Sequence, residues 1–232
     1  MKNNLAEKDI KTINKWAEKY DIKEWKINND EKIFNLKQLC IFNTNIKYIP
    51  AAIFKITNLK SLSIYCNNLN RLPKEIGNLI KLKELYIHCE NLKSLPNEIE
   101  KLTNLEFIRI ECENLKRLPK EIGNLINLKE LYIHCENLKS LPNEIERLTN
   151  LESIRIESEN LKQLPKEIHN LIKLKRFDID CPNSENFPDG IAKLINLETI
   201  YIINSSGKLN LQYLIGGIVK LNNLKSLYLD IE

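Results

Sequence analysis

The sequence contains very little valine, methionine or glycine. Of its 232 residues, one is valine, one is methionine and six are glycine. Parallel α/β enzymes normally use valine on buried strands and glycine in ligand-binding loops. The chain also lacks the glycine-rich phosphate-binding motifs, the G-x-S-x-G nucleophile motif and the C-x-x-C motif. We therefore expect a protein that is not an enzyme and that needs no cofactor.

Long apolar runs, a secretory signal and a strong positive excess are missing as well. No stretch approaches about 18 consecutive apolar residues, so the sequence predicts no membrane span. The N-terminal residues have no apolar core and no small-residue cleavage site, which argues against a secretory signal. The 35 Lys and Arg residues nearly balance the 31 Asp and Glu residues. Because a nucleic-acid-binding domain usually has a larger and more clustered excess, we expect neither nucleic acid nor membrane as a partner.

What the chain has in abundance is a repeat. Leucine, isoleucine and asparagine occur 36, 34 and 31 times, and seven of the eight prolines follow one another at intervals of 23 residues. Around each proline the frame is L-x-x-L-x-I-x-x-x-N-L-x-x-L-P-x-x-I-x-x-L-x-N, whose first Leu is called position one. A constant period of this length indicates stacked repeats. Eight copies begin at Leu36, Leu59, Leu82, Leu105, Leu128, Leu151, Leu174 and Leu197, and a partial ninth begins at Leu224.

Each copy contains the pattern of one strand and one turn. Positions four and six, such as Leu85 and Ile87, alternate like the inward side chains of a short strand. The Leu-Pro step then turns the chain, and the Ile and Leu that follow are three residues apart, as on one turn of 3-10 helix. One such unit cannot bury both its strand and its turn, so neighbouring units must stack.

This frame resembles the leucine-rich repeat family in its short bacterial form, L-P-x-x-I-x-x-L. The resemblance covers roughly residues 22–232. It implies an α/β fold, a right-handed solenoid or horseshoe with a parallel β-sheet on the concave side and short helical or 3-10 turns on the convex side. It also implies a protein that binds other macromolecules.

The two ends of the array depart from the frame. Residues 1–35 are predicted to be an N-terminal cap, formed by an amphipathic helix and a short zeroth repeat at Ile22, Trp25 and Ile27. Asn4 and Glu7 have the spacing of a capping box. The helix is predicted from apolar residues that share one face, namely Leu5, Ile10, Ile13, Trp16, Ala17 and Tyr20.

Residues 36–232 are predicted to be the repeats. The step from Leu197 to Leu224 is 27 residues, four more than the period of 23, which predicts a bulging loop within 203–210. No C-terminal cap is visible. Either that loop covers the last repeat, or the last strand is left open to pair with another chain.

The side chains at positions three, five and seven of each strand are expected on the concave face, because strand side chains alternate. Copies three and five are nearly identical, as are four and six, so two strand types alternate with a period of 46 residues. Tyr and Arg are enriched at binding hot spots. The alternative is that they stack on each other and pair with Glu on a solvated face. The predicted partner-binding residues are Tyr86, His88, Arg109, Glu111, Tyr132, His134, Arg155, Glu157, Asp178 and Tyr201.

Three of these residues are also metal-ligand and acid–base types. His88, Glu111 and His134 fall in one column on adjacent strands, and two imidazoles with a carboxylate are typical zinc ligands. The same column has the composition of a general acid–base pair. No nucleophile, oxyanion donor or orienting shell accompanies it, so we expect neither a metal site nor a catalytic site.

Five of the six cysteines share position eight of the frame. Cys behaves there as a small hydrophobic residue, and disulfides along a parallel sheet would be strained. Free thiols predict a reducing, cytoplasmic location, with export by a route without a classical signal left open. The family's usual Asn at position nine occurs only as Asn67, and Asn recurs at position ten. Either that shifted column bonds the turn backbone, or position eight turns inward.

We therefore predict a protein–protein interaction scaffold that is monomeric and uses its concave face. One alternative is the binding portion or adaptor of an enzyme or effector system of the same family. Another is a self-associating structural protein that forms an edge-mediated dimer through its last strand.

Overall fold

The computed structural model describes residues 5–22, 33, 35–185, 190–207 and 211–231. Among them, nine strands form one parallel sheet whose order follows the chain, as predicted. The strands are β1 (Gln38–Phe42), β2 (Ser61–Tyr65), β3 (Glu84–His88), β4 (Phe107–Glu111), β5 (Glu130–His134), β6 (Ser153–Glu157), β7 (Arg176–Asp180), β8 (Thr199–Asn204) and β9 (Ser226–Ile231).

The register of the sheet follows the sequence period. Each residue from β1 to β7 pairs with the residue 23 positions later, as Leu85 pairs with Ile108 and Ile108 with Leu131. From β8 to β9 the offset becomes 27, as in Ile200 opposite Leu227. Every frame position therefore becomes a straight column of side chains across the sheet.

A short 3-10 helix follows the Leu-Pro step and forms the convex side. Proline fixes its own φ, and its carbonyl accepts the first turn hydrogen bond, as from the amide of Ile99 to Pro96 at 3.1 Å. Pro188 lies outside the described residues. The 3-10 helices span Ala51–Lys55, Lys74–Asn78, Asn97–Lys101, Lys120–Asn124, Asn143–Arg147, Lys166–Asn170 and Ile191–Lys193.

The hydrophobic core lies between the sheet and these turns. Leu85, Ile87 and the turn residue Ile99 are buried, as are their equivalents in the neighbouring repeats. Because each repeat contacts the next along the sheet and along the turns, the core is continuous through the array.

Helix α1 (Glu7–Lys19) covers the first repeat. Ile13, Trp16 and Ala17 are buried on its inner face, and the Trp16 indole donates to the Tyr48 carbonyl at 2.7 Å. The predicted N-terminal helix is therefore present. Trp25 and Ile27 of the predicted zeroth repeat lie outside the described residues.

The predicted capping box is wrong in its residues. Asn4 lies outside the described residues. Helix α1 begins at Glu7, so Glu7 is the first helical residue and not the third (N3), which a capping box needs. Asp9 fills that role instead. Its carboxylate accepts the Ala6 amide at 3.2 Å and pairs with Lys55 at 2.7 Å, which ties the start of α1 to the first turn.

The last described repeat has a longer helix and an uncovered strand. Helix α2 (Leu211–Ile218) replaces the 3-10 turn and packs on Ile191–Lys193. Residues 208–210 lie outside the described part, so the predicted loop is described only up to residue 207. Leu227, at an inward position of β9, is 47% exposed. Neither α1 nor α2 has the apolar length to cross a bilayer, and no other helix of the described chain has it.

Position eight turns inward, which decides between the two arrangements that the sequence left open. The five cysteines there are buried. The Cys89 thiol donates a hydrogen bond to the Ile64 carbonyl, with the sulfur 3.8 Å from the oxygen. In copy eight this position is Asn204, whose amide donates to the carbonyls of Cys181 and Ser184 at 3.0 and 2.8 Å. The Asn residues at position ten lie nearer the surface, and Asn160 donates to the Glu136 carbonyl of the preceding repeat at 3.0 Å.

Candidate functional site on the concave sheet

The outward side chains of the middle strands form two adjacent columns. Parallel register places Tyr86, Arg109, Tyr132 and Arg155 side by side on β3–β6. Their sequence neighbours at positions four and six are buried, so the predicted separation into inward and outward residues is present. The second column, at position seven, contains His88, Glu111, His134 and Glu157.

Tyr132 is the centre of the first column. The guanidinium carbon of Arg109 lies 4.2 Å from the centre of its ring, and that of Arg155 lies 5.4 Å from it. Both distances are within the range of cation–π attraction. The two arginines on neighbouring strands are thereby held by one ring.

Two carboxylates hold the same arginines from the second column. Arg109 donates through Nε to Glu111 at 2.6 Å, and Arg155 donates through Nε to Glu157 at 2.5 Å. The Tyr132 hydroxyl also donates to Glu157 at 3.2 Å. Both arginines therefore have a stacking partner and a carboxylate partner, which are the mutual contacts that the alternative of a solvated face also predicted.

Each of the two glutamates also lies close to a histidine of the same column. His88 Nδ1 lies 2.6 Å from Glu111, and His134 Nδ1 lies 3.4 Å from Glu157. Burial raises the pKa of Glu111, but the hydrogen bonds from His88 and Arg109 and their charges outweigh it, so the pKa is lowered. Burial, and after it the charge of Glu157, raises the pKa of Tyr132. Glu111 is therefore ionised and Tyr132 neutral around pH 7.

The structure corrects the expectation for Asp178. It lies in the position-five column between Arg155 and Tyr201, but it is only 2% exposed. Its Oδ2 accepts from Arg176 Nε at 2.7 Å, and its Oδ1 is buried without a hydrogen-bond partner. Asp178 is therefore not accessible to a partner, and the exposed Arg176 is presented in its place. The sequence signal for Arg176 is an Arg two residues before an acid, the same spacing as in Arg109 and Glu111.

Aromatic residues that the sequence argument did not select extend the surface on both sides. Tyr86 lies against Phe107, with ring centres 4.9 Å apart. At the other end Tyr201 stacks on Tyr228, with ring centres 4.7 Å apart and planes at 11°. The signal for Phe107 and Tyr228 was their place at positions three and five, where aromatic residues face outward.

The two histidines of the position-seven column do not converge on one carboxylate. His88 and His134 pair with different carboxylates. In the part of the chain that the structure describes, no three His, Cys, Asp or Glu residues are placed to hold a metal ion. The site offers charge pairs and rings for contact, and its described residues show no activated nucleophile.

A second surface lies at the edge where the strands begin. From Lys83 onwards, position two alternates Lys and Glu. Glu106 pairs with Lys83 at 2.6 Å and with Lys129 at 2.8 Å. The hydrogen bond from Lys129 and then that from Lys83 lower the pKa of Glu106 to about 2. These charges satisfy one another on an exposed edge, where such pairs contribute little to stability or binding. The concave columns are therefore the better candidate site.

A family model for the leucine-rich repeat region matches the chain over residues 17–140 and 111–232. No curated protein is similar enough to match.

Three solved structures are similar to the chain. The LRR protein LIC12759 of Leptospira interrogans matches with a TM-score of 0.62 and 26% identity over 89% of this chain and 59% of that one. The leucine-rich repeat domain of the type III effector XCV3220 (XopL) matches with a TM-score of 0.70 and 24% identity over 87% and 72%. The Toll–Spatzle complex of Drosophila matches with a TM-score of 0.60 and 20% identity over 86% and 30%. The chain thus spans less than two thirds of the Leptospira protein, and the latter two likenesses indicate the fold.

Proposed function

Because the chain belongs to the leucine-rich repeat family, we propose that it is a protein-interaction scaffold without enzymatic activity that binds a protein on its concave sheet. The observation that carries this proposal is the double anchoring of Arg109 and Arg155 by one tyrosine ring and two carboxylates. These side chains are ordered before a partner arrives.

Preordering matters because binding must otherwise restrict long side chains. Immobilising one flexible side chain at an interface costs about 0.5–1.5 kcal/mol. Arg109 and Arg155 are already held on a rigid sheet, and both remain exposed. The guanidinium groups and the ring of Tyr132 therefore act as anchors, with Tyr86, His88, Glu111, His134, Glu157 and Tyr201 as the surrounding contacts.

The proposal includes the expected state and location of the protein. We infer a reducing compartment, because the five thiols of position eight are free and pack as core residues. We propose a monomer as the first candidate for the oligomeric state. Self-association through β9 is the second candidate, favoured by the exposure of Leu227 and Tyr228. Sedimentation velocity from about 1 to 100 μM separates the two, because a mass that rises with concentration would favour self-association.

The test of the binding face is affinity capture with a double variant, Tyr132→Ala with Arg155→Ala. Wild-type protein should enrich a specific partner from a lysate of the source cells. The double variant should lose at least about tenfold of that enrichment, because hot-spot truncations cost about 2 kcal/mol or more. Arg147→Ala, an exposed arginine on a convex turn, is the matched control and should retain the partner.

Thermal unfolding of all three proteins checks that the fold is intact. The core residues of the repeat are untouched, so the double variant should remain folded at the capture temperature. If the folded double variant captures the partner as well as the wild type does, the binding face is elsewhere.

A further inference from the structure

The concave face changes its charge character after β6. On β4–β6, Arg109 and Arg155 each pair with a glutamate. On β7–β9 the outward positions five and seven contain three aspartates, and no arginine or lysine among the described residues occupies those positions. Arg176 at position three offsets only the buried Asp178. Among the described residues, positions three, five and seven of these strands therefore carry more acidic than basic side chains.

Asp180 is one of the acidic residues on this part of the surface. It lies in register between Glu157 on β6 and Ile203 on β8, and no cation of the described chain is within ion-pair distance of it. Burial, and after it the charges of Glu157 and Asp230, raises the pKa of Asp180 despite the opposing charges of Arg155 and His134. The free protein thus holds a half-buried carboxylate that would be stabilised by an added cation.

Two stacked rings lie on the next two strands. Tyr201 on β8 is diagonal to Asp180 on β7, and Tyr228 precedes Asp230 by two residues on β9. Ile203 on β8 lies between the two aspartates in the position-seven column. Burial, and after it the charges of Tyr228, Asp180 and Asp230, raise the pKa of Tyr201 despite the opposing charge of Arg155. Aromatic faces and carboxylates together recognise Lys and Arg side chains, through cation–π and charge-assisted contacts.

We propose that the concave surface of β7–β9 binds a basic segment of the protein partner, with a Lys or Arg side chain lying over Ile203, which separates Asp180 from Asp230, and beside the Tyr201–Tyr228 stack. This inference rests on the proposed function, because it assigns the chemistry of the partner at one end of the same face. It also predicts the orientation of the partner along the sheet. The paired Arg and Tyr residues contact one part of the partner, and the acidic end contacts its basic part.

The probe is a fluorescein-labelled decapeptide of alternating Lys and Gly, measured by fluorescence anisotropy at about 20 mM and 150 mM NaCl. The same peptide with Glu in place of Lys is the charge control. Wild-type protein should bind the Lys peptide, more weakly at the higher salt, and should not bind the Glu peptide.

Matched variants test the location of this binding. Asp180→Asn with Asp230→Asn should weaken the Lys peptide about tenfold. Glu121→Gln with Glu167→Gln removes the same two charges from convex turns and should change affinity less than about twofold. Tyr201→Leu should weaken binding several-fold, and Tyr201→Phe should not, because the ring is retained.

The outcomes separate this inference from the proposed function. If the concave and the convex double variants lose affinity for the Lys peptide equally, the attraction is unspecific and the inference is overturned. So would undiminished capture of the native partner by Asp180→Asn with Asp230→Asn, while Tyr132→Ala with Arg155→Ala abolishes it. That second result leaves the proposed function standing. If neither double variant alters capture, both fail.

Discussion

The guanidinium of Arg109 on β4 lies 4.2 Å from the ring centre of Tyr132 on β5. Arg155 on β6 approaches the same ring from the other neighbouring strand. The ring therefore belongs to one strand type and both cations to the other. The duplication with a period of 46 residues alternates these types, so it produces contacts that a repeat of one type would lack.

Tyr132 should stabilise the fold through its ring more than through its hydroxyl. Tyr132→Leu removes both cation–π contacts and should lower the free energy of unfolding by about 1–2 kcal/mol, at about 0.5–1 kcal/mol for each exposed pair. Tyr132→Phe keeps the ring and loses only the hydrogen bond to Glu157, so it should cost less. Urea unfolding measures both, and equal losses in the two variants would show that the ring contacts contribute nothing.

The fold was predictable because two independent periodicities agree. The constant interval of 23 residues sets the strand register, and the alternation of Leu85 and Ile87 sets which face is buried. The direction of position eight stayed open because the family's usual Asn at position nine occurs only as Asn67. It follows from the strand alternation continuing two residues past Ile87, to Cys89.

Glu111 should make stability depend on pH in the acid range. Its pKa is lowered in the folded protein, so its contribution is fully present above its unfolded pKa of about 4.3 and is lost as pH falls through the folded value. At pH 7, Glu111→Gln should cost about 1–2 kcal/mol, somewhat less than a buried hydrogen bond to a charged group, because solvent screens this half-buried carboxylate. Urea unfolding at pH 7 and at about pH 3 should show the difference between wild type and variant narrowing with acid.

The control for this pH effect is Glu113→Gln, an exposed glutamate on the loop after the same strand. It should have little effect at either pH. A difference between wild type and Glu111→Gln that stays constant from pH 7 to pH 3 would contradict the lowered pKa.

The sequence predicted which site residues share a column, but it did not predict which of them are accessible to a partner. The sequence placed Arg155, Asp178 and Tyr201 side by side, and the register agrees. It gave no sign that Asp178 would be buried, because burial of an outward side chain depends on the long side chains of adjacent strands. The bond from Arg176 is the visible result.

One cysteine should react in the native protein. Cys40 is exposed, whereas the other five cysteines are buried. Burial raises the pKa of Cys66, Cys89, Cys135 and Cys181 to about 12, so almost no thiolate is available for attack at pH 8. Ellman's reagent should therefore modify one thiol rapidly and all six in urea, as counted by intact mass. Cys40→Ser should abolish the rapid phase, and rapid modification of any second thiol would contradict the inward direction of position eight.

Gly123 should be required by the spacing between turns of adjacent repeats. A Cβ atom at this position would lie 2.2 Å from the backbone oxygen of Glu144 in the next repeat, so the two turns would have to separate. Gly123→Ala should therefore lower the free energy of unfolding by about 1–3 kcal/mol, the usual cost of overpacking. Gly216→Ala is the matched control, because nothing lies within 4 Å of the added Cβ and the residue is within α2. There alanine should leave stability unchanged or raise it by up to about 1 kcal/mol through helix propensity. Thermal and urea unfolding of both variants would refute this account of turn spacing if Gly123→Ala were as stable as the wild type.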